Sequence, residues 1–262
     1  METGLKDRVA IVAGSSQGIG RAIALAFAAE GAHVALCARR REVLDVVAAE
    51  VRSRFGVDAF SQALDVSDDA AVRAFVDAAQ THFKRIDICV PNAGGPPAKP
   101  FLATTMEEWE RAWQLNLRST VSFCQAVLPY MQQRHWGRIV TLTSYTVKQP
   151  VPELVLSNTI RAGAMGLVRS LAGQFGRDGI TVNNVGPGFT ATSRSRSLLE
   201  TRAKSQGVTV EVVQASLEKE IPVGRMATPE EVAAMFVFLA SEAAASVTGQ
   251  TFLVDGGSYK GL

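Results

Sequence analysis

Short aliphatic runs alternate along the chain with longer stretches in which apolar residues recur every three or four positions. An aliphatic run without polar alternation fits a strand buried on both faces, and the longer period fits amphipathic helices laid over a sheet of such strands. The predicted strands are Arg8 to Ala13, His33 to Cys37, Ala59 to Leu64, Ile86 to Val90, Gly137 to Thr143, Thr181 to Val185 and Thr251 to Val254. Seven strands separated by helical patterns predict an α/β fold: a single-domain, Rossmann-type, doubly wound, seven-stranded parallel sheet with helices on both faces, spanning residues 1–262.

Helix starts are marked by Ser67-Asp-Asp before Ala70, by Thr105 ahead of Glu107 and Glu108, and by Thr228-Pro229-Glu230-Glu231, with proline at the first helical position. One helix is expected from Arg21 to Glu30, a long one from about Glu107 to Arg134, and another from Glu153 to Phe175. The one long excursion, about 190–221, follows Pro187-Gly188 and carries two short helical patterns broken near Gly207. An insertion of that length in a compact domain predicts a substrate lid.

Composition narrows the partners. A formal net charge of +2 is too small to predict nucleic acid or an anionic membrane surface as a ligand. The start METGLKDRVAIVAG enters a strand with no apolar leader, and runs such as Ala233 to Ala240 are too short to span a bilayer. Cys37, Cys89 and Cys124 lack any metal-ligand spacing, so no metal site is predicted; they read as reduced core residues of a cytoplasmic protein, the alternative being a reactive thiol.

The first strand runs into AGSSQGIG, where Gly14, Ser16, Gln17, Gly18, Ile19 and Gly20 lead into a helix. Glycines there let the backbone approach a pyrophosphate, and the helix N-terminus adds free N–H groups and a positive dipole end. Where the second strand ends, an acidic residue would grip the ribose 2′-hydroxyl of NAD; this chain has Arg39, Arg40 and Arg41. Guanidinium groups bind a 2′-phosphate bidentately, so NADP(H) is expected over NAD(H), while at least one of the three arginines is expected to begin a solvated helix.

With AGSSQGIG, LDVSD at 64–68, NAG at 92–94, NNVGPGFTAT at 183–192 and VDGG at 254–257, the sequence resembles the short-chain dehydrogenase/reductase family from end to end. The resemblance implies that Asp65 and Val66 lie by the adenine, that Asn92, Ala93 and Gly94 line the adenine ribose side, and that Pro187, Gly188, Thr190 and Thr192 hold the nicotinamide end. It also implies four working residues: an Asn, a Ser and a Tyr-x-x-x-Lys pair on one helix. The Asn maps to Asn116 and the Ser to Ser144, but the expected Tyr position holds Ser157 and the expected Lys position holds Arg161.

Residues four apart share a helix face, so a lysine there lowers the pKa of the tyrosine, which exchanges a proton with the substrate oxygen. Ser157 is a far weaker and shorter acid. Arg161 keeps the charge and can bond the cofactor's ribose hydroxyls, but is a poor proton source. Losing general acid–base help costs on the order of 10²- to 10⁴-fold. Tyr145, directly after Ser144, is a candidate replacement acid; the alternative is a surface or lid-packing role.

His33, His82 and His135 are expected to be structural, Arg194, Arg196, Arg202 and Lys204 to form a solvated face rather than greet an acidic substrate, and Trp109 and Trp113 to pack in a helix interface. Three functions stay open. The first is an NADP(H)-dependent oxidoreductase interconverting a small-molecule alcohol and ketone, resembling 3-oxoacyl carrier-protein reductases. The second is a non-redox dehydratase or isomerase of the same fold, and the third a catalytically silent nucleotide-binding protein. The small residues Ala162, Gly163, Ala164 and Gly166, with the family's habit of pairing this helix between subunits, predict a homotetramer.

Overall fold

The computed structural model describes residues 2–261. Its strands are β1 Val9–Ala13, β2 His33–Ala38, β3 Ala59–Ala63, β4 Ile88–Val90, β5 Gly137–Leu142, β6 Ile180–Pro187 and β7 Thr251–Val254. They form one seven-stranded sheet in the order β3-β2-β1-β4-β5-β6-β7, with every pairing parallel. The chain changes direction across the sheet between β1 and β4, so the crevice beyond their carboxyl ends is the topological switch point where such sheets take ligands.

The helices are α1 Gly18–Ala29, α2 Arg41–Phe55, α3 Asp69–Phe83, α4 Met106–Trp113, α5 Ser119–Gln133, α6 Val155–Phe175, α7 Ser193–Gln206, α8 Val210–Glu220 and α9 Pro229–Ala240. Strand residues divide between two cores with period two. Ala10, Val12, Val34 and Leu36 meet α1, α2 and α9 through Phe27, Leu44, Val47 and Phe236. Ile11, Ala13, Ala35 and Cys37 meet α3, α5 and α6 through Phe75, Phe123, Met131 and Val168. Double coverage is why β1 reads as five consecutive buried residues rather than an alternation.

All seven predicted strands are present, with ends shifted by at most two residues. Thr105 with Glu108 and Thr228 with Glu231 form reciprocal capping boxes, while Asp68 rather than Ser67 caps α3. The helix expected from Glu107 to Arg134 is not continuous: a π-helical segment, Gln114–Arg118, separates α4 from α5. Trp109 and Trp113 are not interface core within this chain. Only Ala112 of α4 is buried, Trp113 is 40% exposed, and Trp109 donates its Nε1–H to Thr104 Oγ1 at 3.2 Å.

The excursion after β6 folds into α7 and α8, which divide at Gly207 and bury Leu199, Ala203, Val213, Leu217 and Ile221 in a small core of their own. At the amino edge of the sheet the buried Asp87 carboxylate accepts from Val9 N–H at 2.9 Å and from Arg85 at 2.6 and 2.8 Å. All three cysteines are free and buried; burial pushes their thiols up, Cys124 to about 12, which leaves no thiolate near neutral pH. Among the described residues no helix is long and apolar enough to cross a membrane.

Candidate functional site

Between β1 and α1 the chain turns in a space that only glycine leaves open. Gly14 has φ +61°, and a Cβ on Gly20 would stand 2.3 Å from the Gly14 carbonyl oxygen. Asn92 donates from Nδ2 to Ala13 O at 3.0 Å, which ties the loop after β4 to the end of β1. The helix that follows has no side-chain cap from Gln17 and no acid in its first turn. Its N–H groups and positive dipole end therefore face the switch-point crevice uncompensated, which fits the pyrophosphate of a dinucleotide. Ser16, Gln17, Gly18 and Ile19 make up the rest of this turn.

At the end of β2, Arg39 and Arg40 are exposed, and Arg40 Nη2 donates to Gln17 Oε1 at 2.6 Å, reaching back over the glycine turn. Arg41 belongs instead to the solvated first turn of α2, where its Nε donates to Asp45 at 2.8 Å. Asp65, after β3, is held below the usual carboxylate range by the Ser67 N–H, then by the Ser67 hydroxyl, with the Arg39 charge adding. The neighbouring Val66 is buried, and Ala93 and Gly94 lie with Asn92 on the loop after β4.

Across the crevice, β5 ends just before Ser144, whose Oγ accepts the Thr146 N–H at 3.2 Å as the chain enters a single 3₁₀ turn, Tyr145–Val147. Both this turn and the π-helical segment pack on α6. From α6, Arg161 reaches the strand end: Nη1 donates to Leu142 O at 2.9 Å and to Thr143 O at 3.0 Å. Burial, and after it the charge of Arg194, lowers the Arg161 pKa to about 10, so it stays a cation at neutral pH. Ser157, one helical turn earlier, is also buried, and its hydroxyl has no protein partner among the described residues. Asn116 sits in the π-helical segment with Nδ2 on Ala112 O at 3.3 Å and a buried Oδ1 that has no partner. An orphaned buried acceptor costs about 1–3 kcal/mol, and π-turns are frequent where function demands such placement.

Tyr145 is buried against Phe189, with ring centroids 6.1 Å apart. It lines a cavity of ≈ 80 Å³ with Gln149, Leu217, Glu220, Ile221, Ser258 and Lys260. Burial raises its phenol pKa, and Asp255 and Glu220 raise it further, the opposite of what a proton donor near neutrality needs. The far wall of the crevice comes from the end of β6. Pro187 is its last residue, the Gly188 N–H bonds Val254 O at 2.9 Å, Thr190 Oγ1 donates to Gly188 O at 3.2 Å, and Thr192 caps α7.

Two features of the site escape a reading of the sequence. The cavity wall from α8 and the C-terminal segment is contributed by residues far apart in the chain, with no local signal. Arg194 is exposed, as expected of a solvated face, but it also turns onto the loop after β4: its Nη2 donates to Pro96 O at 2.7 Å, and its guanidinium lies against Gly95. A signal for it exists, because an arginine in the first turn of a helix opposes the helix dipole and so calls for another reason to be there.

The family model described as enoyl-(acyl carrier protein) reductase matches residues 13–259. A 3-oxoacyl-(acyl-carrier-protein) reductase of Aquifex aeolicus is 32% identical over 99% of this chain and 100% of its own. The counterpart in Pseudomonas aeruginosa is 35% identical over 97% and 98%. L-sorbose reductase from Gluconobacter frateurii, crystallised with NADPH and L-sorbose, superposes with a TM-score of 0.96 at 34% identity, covering 100% of both chains. An NADPH-bound short chain oxidoreductase from Pseudomonas aeruginosa PAO1, described as containing an atypical catalytic center, superposes with a TM-score of 0.89 at 34% identity, over 98% of this chain and 100% of its own. With the glycine turn, the sheet order and these end-to-end matches in agreement, the chain belongs to the short-chain dehydrogenase/reductase family.

Proposed function

We propose that the protein is an NADP(H)-dependent oxidoreductase interconverting a ketone and an alcohol, in which Ser157 and Arg161 stand where the family carries Tyr and Lys. The observation that carries this reading is the Arg161 side chain anchored on the Leu142 and Thr143 carbonyls, which fixes a cation beside Ser144. NADPH, when bound, supplies the hydride that, with one proton, turns the ketone into the alcohol and leaves NADP⁺. Gly14 to Gly20 and the uncapped start of α1 hold its pyrophosphate, and Arg39 and Arg40 hold the 2′-phosphate, which selects NADP(H) over NAD(H). Asp65, Val66 and Asn92 to Gly94 flank the adenosine, and Pro187, Gly188, Thr190 and Thr192 the nicotinamide.

Ser144 donates its hydroxyl proton in a hydrogen bond to the substrate oxygen. Arg161 steadies the cofactor's ribose and the negative charge that grows on that oxygen. A water held by the Ser157 hydroxyl and the unpartnered Asn116 Oδ1 delivers the proton; Tyr145 shapes the pocket wall. The α7–α8 excursion acts as a lid on a single dinucleotide-binding domain. Three buried thiols suit a reducing cytoplasm, and the open outer face of α6 at Gly166 and Gly173 suits a homotetramer.

Support also comes from the relatives, reductases of ketoacyl and sugar substrates by name, and from the NADPH-bound relative with an atypical center. The test is a fluorescence titration with NADPH and NADH followed by turnover on a ketone panel. Tighter binding of NADPH with its oxidation coupled to ketone reduction is the expected result; NADPH binding without oxidation on any ketone overturns the redox assignment.

A further inference from the structure

Arg194 projects from the first turn of α7 onto the loop after β4, where Nη2 bonds Pro96 O at 2.7 Å and the guanidinium lies beside Gly95. Its turn is fixed: Thr192 Oγ1 accepts the Ser195 N–H at 3.2 Å, and Ser195 Oγ donates to Thr190 O at 2.5 Å. Two residues on, Arg196 pairs with Glu200, whereas neither Arg194 nor Arg161 has a carboxylate partner among the described residues. The loop after β4 and the end of β5 belong to adjacent strands, so both guanidinium groups border the same crevice at the carboxyl edge of the sheet. Each uses one nitrogen on backbone carbonyls and has no other partner among the described residues for the rest of its fork.

Two cations without carboxylate partners bordering one crevice are unfavourable, and the Arg194 charge lowers the readiness of Arg161 to stay charged. Burial and then Arg194 pull Arg161 down, and loss of solvent on its inner side pulls Arg194 down. An anion placed between them removes that conflict and meets guanidinium forks suited to two-oxygen groups. Arg161 is committed to the strand end and the cofactor side, which leaves Arg194 as the group that meets the substrate.

We propose that Arg194 is a specificity determinant that selects oxo substrates carrying a carboxylate or phosphate, binding that anion against the edge formed by Gly95 and Pro96. The inference rests on the reductase reading above. Two substrate pairs separate the anion sources: acetoacetate against methyl acetoacetate, and dihydroxyacetone phosphate against dihydroxyacetone.

The expected result is a kcat/KM preference for the charged member of at least one pair on the order of 10- to 100-fold, carried mostly by KM. Arg194→Met brings that ratio close to one, and Arg194→Lys restores part of it. In parallel, acetoacetate and dihydroxyacetone phosphate are titrated calorimetrically into NADP⁺-loaded protein. Wild type binds one of them, Arg194→Met does not, and the variant's melting curve and NADPH affinity report that fold and cofactor site persist. Neutral members preferred in both pairs, no calorimetric binding of either anion, or a preference that survives Arg194→Met each overturn the proposal. Absence of NADPH uptake by wild type overturns the underlying reading instead, so the two failures are distinguishable.

Discussion

Arg161 is the residue on which the proposed chemistry turns, and its environment sets a pH dependence. Its pKa is lowered to about 10, by burial first and by Arg194 second. A cation with a lowered pKa is fully present well below that value and is lost as pH rises through it. Turnover is therefore expected to be insensitive to this group from pH 6 to about 8 and to fall along an alkaline limb near 10, measurable in the log kcat profile. Arg194→Met removes the second cause and moves the limb upward; a limb that stays in place shows that another group titrates there. Arg161→Met removes the fixed charge and is expected to cost about 10²- to 10³-fold in kcat, the scale of losing one oxyanion donor. Tyr145→Phe checks the proton route: a phenol that acted as the general acid contributes about 10²- to 10⁴-fold, so retention of kcat within about tenfold assigns the proton to water.

At the scale of elements, α6 and the π-helical segment decide what the site can do. Ser157 and Arg161 lie four residues apart on α6 and are both buried. The double variant Ser157→Tyr with Arg161→Lys rebuilds the family's usual pair on an otherwise intact scaffold, and is expected to raise kcat/KM on simple ketones by roughly tenfold or more. A well-folded double variant with no gain shows that the pocket serves a different chemistry. The π-helical segment gives a second test, because it buries the Asn116 Oδ1 without a partner. Asn116→Leu removes, at similar volume, the acceptor proposed to hold the proton-delivering water, so turnover should fall while the melting temperature stays within a few degrees of wild type.

The strands were legible in the sequence because parallel strands covered on both faces cannot alternate, and runs such as VAIVA have no competing explanation. The glycine turn and Arg39 to Arg41 were legible for a similar local reason. The π-helical segment was not, because QLNLR sits inside one continuous helical pattern and carries no residue that marks a widened turn. Trp109 and Trp113 misled because helical spacing of large apolar residues says that a stripe exists but not that this chain covers it. Arg194 and the wall formed by Leu217, Glu220 and Lys260 depend on how the excursion folds back, a long-range fact with no local period.

The whole molecule presents an uncovered stripe that argues for self-association. Leu102 is 95% exposed, Met106 81%, Phe101 63% and Trp113 40%, all on the approach to α4 or within it. Burying one such side chain gains about 1.5–3 kcal/mol, so a partner that covers this stripe gains enough to offset much of the entropy lost on association. A second copy would supply the same surface in return, and closed two-fold pairing through two different faces would yield a tetramer. The outer face of α6, open at Gly166 and Gly173, is the second such face. Light scattering is expected to give four times the chain mass for the wild type. Leu102→Asp with Met106→Glu places two carboxylates in the contact and should reduce the assembly to dimers held by the remaining face. Because α4 leads directly into the segment that carries Asn116, the dimer should also turn over more slowly, with NADPH affinity retained at the distant glycine turn. A wild-type monomer, or a variant that remains tetrameric, assigns the stripe to some other partner and removes the link between assembly and catalysis.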